Sequence, residues 1–78
     1  MIVKYDKQAD AIYLYLQKVK KGTVYKTVPI NEDIMVDLNR HGKVVGVEIL
    51  GASSHIPKKD IPRISFELPV HAEARRTS

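Results

Sequence analysis

Aliphatic residues recur at every second position in two separate parts of this chain, and that alternation limits what it can fold into more than any other feature. Ile12, Leu14 and Leu16 interleave with Ala11, Tyr13, Tyr15 and Gln17, and the same spacing returns in Ile34 and Val36 and again in Val45, Val47 and Ile49. Successive side chains of a strand point to opposite faces, so this period gathers the aliphatics on one side of a sheet, where a helix would scatter them. The turn signals cut the pattern into hairpins. Asp6 to Asp10 separates Ile2–Tyr5 from Ala11–Gln17, which predicts a first hairpin whose turn opens on an aspartate. Gly22 marks a break, and Thr23–Val28 predicts a third strand ending at Pro29, since proline has no N–H for a ladder.

Ile34–Leu38 and Lys43–Leu50 predict a second hairpin across Asn39-Arg40-His41-Gly42, with glycine where a positive φ is needed. A four-residue loop would set Leu38 opposite Lys43, Val36 opposite Val45 and Ile34 opposite Val47. A glycine-bulge turn would shift the pairing by one and send Val45, Val47 and Ile49 to the other face, so the four-residue loop is expected. Gly51 to Ile56 leaves room for one helical turn, with Ser53 and Ser54 read as capping residues and Pro57 as the stop.

The expected architecture is mainly β with one short helix (α+β): a four- to five-stranded antiparallel sheet of two hairpins in residues 1–56. Residues 57–78 form an extension in which Ile64, Phe66 and Leu68 alternate, predicting an added strand over 63–68 and then a mobile C-terminal end. The inward set is Ile12, Leu14, Leu16, Ile34, Val36, Val45, Val47 and Ile49. A single helical turn cannot cover a face of three or four strands, and a domain needs two packed layers. Either the sheet closes on itself as a small barrel, or the same face of a second copy covers it; for 78 residues the homodimer is expected. The opposite face is expected to gather Tyr5, Tyr13, Tyr15 and Tyr25 with Val3, Met35, Val44 and Leu50.

Composition narrows function mainly by exclusion. The sequence holds no cysteine, which removes thiol nucleophiles, sulfur-ligated zinc and disulfides and fits a cytoplasmic location. Met1 to Asp6 shows neither a secretion signal nor the start of a membrane span, so no membrane partner is expected. Thirteen Lys and Arg against nine Asp and Glu give a net charge of +4, spread over loop and tail positions. Lys18, Lys20 and Lys21 with Tyr13, Tyr15 and Tyr25 form the candidate surface for a partner or a nucleic acid, against the plainer reading of solvated lysines and strand aromatics.

No catalytic constellation is expected. Asp6, Asp10, Asp37 and Glu48 lie at turns and sheet edges, and Asp6 is explained by the turn it opens. His41, His55 and His71 lack metal-ligand spacing, Ser53 and Ser54 lack a nucleophile elbow, and Gly42, Gly46 and Gly51 are spaced across a strand instead of around a phosphate. The reading is therefore of a non-enzymatic binding or accessory module without cofactor or metal.

Two stretches together look familiar. Tyr5 to Leu16, with Tyr5, Asp6 and Asp10, and Ile34 to Leu50 followed by Ala52-Ser53, with Asp37, Gly42, Gly46 and Glu48, resemble a widespread prokaryotic family known as domain of unknown function 2283. The resemblance implies a small β-rich protein without assigned activity. Some members are encoded beside small toxin-like proteins, which implies an antitoxin-like role with a small protein partner. Lys7 stands where the family usually has proline, and Gly51 where an acid is common.

Overall fold

In the computed structural model, which describes residues 1–63 and 65–67, two hairpins and a fifth strand form one antiparallel sheet. The strands are β1 (Ile2–Asp6), β2 (Ala11–Tyr15), β3 (Lys26–Pro29), β4 (Ile34–Leu38) and β5 (Val44–Leu50), in the spatial order β1-β2-β5-β4-β3. A short helix, α1 (Ala52–His55), and a 3-10 turn (Ile61–Arg63) follow. The mainly β architecture with one short helix is thus present, with five strands and β5 at the centre.

Strand β3 starts later than Thr23 because that residue is used locally: Lys20 N–H donates to Thr23 Oγ1 and Thr23 N–H to the Lys20 carbonyl, closing a turn. Arg63 closes the 3-10 turn and residues 65–67 join no ladder. The remainder of the strand expected over 63–68, and the C-terminal end, lie outside the described residues.

The second hairpin corrects the expected register. Asn39 N–H donates to the Lys43 carbonyl, Gly42 N–H to the Asn39 carbonyl, and Gly42 takes φ +73°, the geometry of a glycine-bulge turn. Asn39 Oδ1 fixes it by accepting from the N–H groups of His41 and Lys43. Leu38 accordingly pairs with Val44. That shift alone would misplace the aliphatics, but a second irregularity between Asp37 and Leu38 absorbs Val45, so Val36 pairs with Val47 and Ile34 with Ile49. Two one-residue slips make one full period of the strand, which restores the aliphatics to a common face.

Residues paired across an antiparallel ladder share a face. Val3, Tyr5, Ile12, Leu14, Val47, Ile49, Ile34, Val36 and Val28 therefore line one side, and Lys4, Tyr13, Tyr15, Gly46, Glu48, Met35, Asp37 and Thr27 the other. Val3 and Tyr5 thus stand on the aliphatic face, not on the tyrosine face. The reason is the turn: residues 7–10 place Asp6 opposite Ala11, which sets Tyr5 against Ile12 and Val3 against Leu14.

Very little of this sheet is covered. Among the described residues the buried apolar set is Ala11, Ile12, Val45, Ala52 and Ile61. The cover stands at one end, where Ile61 and Pro62 share a cleft with Val3 and Tyr5. Strand β4 has neighbours on both sides, yet all five of its residues are only half-buried. Leu14, Val28, Val47 and Ile49 are likewise half-buried, and Leu16, from the expected inward set, is exposed.

Candidate functional site

The first hairpin turn builds the most organised polar cluster of the described residues. Asp6 opens the turn, its Oδ1 accepting from the N–H groups of Gln8 and Ala9. Asp10 closes it with φ +50°, a left-handed conformation that aspartate tolerates better than most residues. That backbone turn aims Asp10 at the start of α1. Its carbonyl accepts from Ala52 N–H at 2.8 Å, and its carboxylate accepts from Ser53 Oγ at 2.6 Å and Ser53 N–H at 3.1 Å. The Tyr5 hydroxyl donates to the same carboxylate at 2.8 Å.

The expectation that Ser53 and Ser54 cap the helix is corrected here. The N-cap position is Gly51, in a left-handed conformation with no side-chain cap, and Asp10 supplies the missing acceptor from 43 residues away in sequence. Ser54 Oγ donates to the Gly51 carbonyl. The donated hydrogen bonds from Ser53, then from Tyr5, hold the Asp10 carboxyl below its ordinary 3.8, while the bond to Asp10 raises the Tyr5 hydroxyl above its ordinary 10.0. A carboxylate so stabilised is a weak base, and the cluster reads as a staple joining hairpin to helix.

Beside this staple lies a cleft of about 780 Å³. Val3, Tyr5, Ile61 and Pro62 give it apolar walls; Lys7 and Lys58 bring two cations, and Asp10 and Ser53 form its polar end. Ile61 and Pro62 belong to the extension past residue 56, so the cleft is shared between the sheet and that extension. Periodicity could not find it, because the wall comes from an irregular segment.

The remaining candidate residues separate. Tyr13 and Tyr15 stand together on β2 with parallel rings 6.4 Å apart, and Lys4 Nζ lies 5.9 Å from the Tyr15 ring centroid. Packing and the nearby Glu48 raise the Tyr13 hydroxyl above 10.0. Tyr25 does not join them: it precedes β3, its ring under the Arg40 guanidinium, with β4 and β5 between it and β2. Lys18 and Lys20 line a groove with Ile2, Lys4 and Tyr15, and Lys21 lies further along the same loop. The tyrosine face is not uniformly basic, since Glu48 pairs with Tyr13, and Asp37, accepting from Thr27 Oγ1 at 2.6 Å, lies in the next row.

Gly46 has a close-approach role. A Cβ there would meet the Leu14 carbonyl oxygen at 2.8 Å and the Tyr15 ring at 3.5 Å. Gly42 serves its turn through positive φ. Among the described residues no three of His, Cys, Asp or Glu gather in a group that could hold a metal ion, and no helix is long and apolar enough to cross a membrane. His55 instead meets Asp33 at 2.9 Å on the surface.

The chain is 29% identical over 56 residues to the uncharacterized protein YuzE of Bacillus subtilis (strain 168); the shared part is 69% of this chain and 43% of that protein, so the chain spans less than half of its relative. No solved structure matches. The family described as protein of unknown function (DUF2283) matches residues 2–53, a span that holds all five strands together with Tyr5, Asp10 and Ser53, and the chain belongs to that family.

Proposed function

We propose that this chain is a non-enzymatic binding or accessory module that works as a homodimer, its aliphatic face covered by the same face of a second copy. One observation carries the reading: β4 is an interior strand, and yet none of its residues is buried. The aliphatics under it continue into β2, β3 and β5 through Leu14, Val28, Val47 and Ile49, and the charge nearest them on this face, Lys26, stands at its β3 corner. Covering the exposed half of each such side chain contributes about 1 kcal/mol, on the order of 6 kcal/mol per chain for Leu14, Val28, Ile34, Val36, Val47 and Ile49, which is comparable with the whole stability of a small domain.

The tyrosine face supports self-association less well, because Lys4, Asp37 and Glu48 would need partners when desolvated. The same two acids weigh against a nucleic acid on Tyr13 and Tyr15. Enzymatic chemistry has little support in the Asp10 cluster, whose carboxylate is already engaged by Tyr5 and Ser53.

Sedimentation equilibrium of the full chain at micromolar concentration tests the proposal. The expected mass is twice the 8.8 kDa of one chain. A folded species with the mass of one chain overturns it.

A further inference from the structure

The two borders of the sheet are not alike. Strand β3 ends it on one side and carries Pro29, a poor template for further pairing. Strand β1 ends it on the other with five exposed residues, Ile2 to Asp6, and has neither proline nor bulge. Such an edge presents a row of N–H and C=O groups that a further strand can pair with.

Two hollows flank this edge, one on each face. On the aliphatic face lies the cleft of about 780 Å³ with Val3, Tyr5, Ile61 and Pro62. On the tyrosine face lies a groove of about 430 Å³ with Ile2, Lys4, Tyr15, Lys18 and Lys20. A strand laid along β1 sends alternate side chains to the two faces, so one set meets apolar walls and the other meets lysines. Lys7 and Lys58 add positive charge beside the cleft. The nearby acids are already engaged: Asp6 by turn amides and Asp10 by Tyr5 and Ser53.

We propose that the edge of β1 binds an extended peptide strand that alternates apolar and acidic residues, with the apolar ones entering the cleft beside Val3 and Tyr5 and the acidic ones facing Lys4, Lys18 and Lys20. Charge decides between this occupant and a second copy of the chain. Pairing two β1 edges would bring both sets of the same lysines together, whereas an acidic strand neutralises them. The homodimer rests on the uncovered side chains of β4 and this site on the exposed edge of β1, so a chain that proves monomeric would leave this proposal standing.

The test is a fluorescence-anisotropy titration of the full chain with a labelled short peptide of alternating valine and glutamate. Saturable binding is expected, weakened about tenfold in Lys4→Glu and in the loop variant Lys18→Glu. A valine–lysine peptide and a proline-interrupted valine–glutamate peptide should not bind. Lys18→Glu lies outside every ladder and keeps the test valid if Lys4→Glu disturbs folding. Absence of saturation at roughly millimolar peptide, equal binding of the lysine peptide, unchanged affinity in Lys18→Glu, or amide shifts at β3 in place of β1 would each overturn the proposal. So would amide-to-amide contacts between two copies that pair β1 with β1 edge to edge, which face-to-face packing does not produce.

Discussion

Replacing Gly46 with alanine should lower stability although alanine is ordinarily the better residue in a folded chain. Gly46 lacks a positive φ, so the substitution itself strains no backbone angle and, by restricting the unfolded chain, stabilises by about 0.4–1 kcal/mol. Against this stands a Cβ placed 2.8 Å from the Leu14 carbonyl oxygen, about half an ångström inside an ordinary C···O contact. The neighbour is backbone and cannot rotate aside. It belongs to β2, whose Tyr15 pairs with Gly46, and just past the strand Leu16 N–H donates to the Val45 carbonyl at 2.8 Å, so relief requires parting β2 from β5. Overpacking of this kind costs about 1–3 kcal/mol, leaving a net loss of about 1–2 kcal/mol. For a domain of this size each kcal/mol moves the melting temperature by about 4–8 °C, so the expected fall is roughly 5–15 °C. Circular-dichroism melts at one fixed protein concentration read it directly, since association makes melting concentration-dependent. Gly42→Asn is the comparator: that site has positive φ and open space, which asparagine accepts, and its melt should move little. A Gly46→Ala melt equal to or above that of the parent would refute the close approach.

Further outcomes follow from the same geometry. Because the folded state lowers the Asp10 pKa, its contribution is complete above 3.8 and is lost as pH falls through the folded value; Asp10→Asn should therefore flatten the acid limb of a denaturation profile, and an unchanged limb would contradict the staple. Val45→Ala removes two methyl groups from the largest fully buried side chain among the described residues and should cost about 2 kcal/mol by urea unfolding, whereas the same change at exposed Val19 should stay within about 0.5 kcal/mol. Val36→Lys places a charge in the middle of the aliphatic face and should convert the assembly to one-chain mass on size exclusion with light scattering; a mass equal to the parent's would count against that face as the interface.

The strands were legible because alternation is a local property. Ile34–Leu38 is expected and found with the same bounds, and Ile2, Ala11 and Leu50 begin or end their strands as read. Register was less legible, since Asn39 and Gly42 select a glycine-bulge turn through side-chain and backbone bonds that the aliphatic pattern does not encode, and Val45 compensates a few residues later. Tyr5 stands on the face opposite to the expected one for a related reason: the parity carried around a turn depends on the pairing that the turn imposes. The Asp10–Ser53 staple joins positions 43 residues apart, and nothing in the spacing of either stretch predicts their meeting. What does mark Asp10 is its place at the end of an aspartate-opened turn, where a left-handed residue is needed and no glycine is present.

Whether the side chains beneath β4 see water decides most directly if the sheet is covered. Solvent paramagnetic relaxation of methyl signals, with a soluble agent and the full chain, measures this, taking Ile30 with its 61% exposure as the open reference. The methyls of Ile34, Val36, Val47 and Ile49 should be as protected as those of buried Val45. Relaxation of those four near that of Ile30 in a folded sample would show the face bare and contradict the covered sheet.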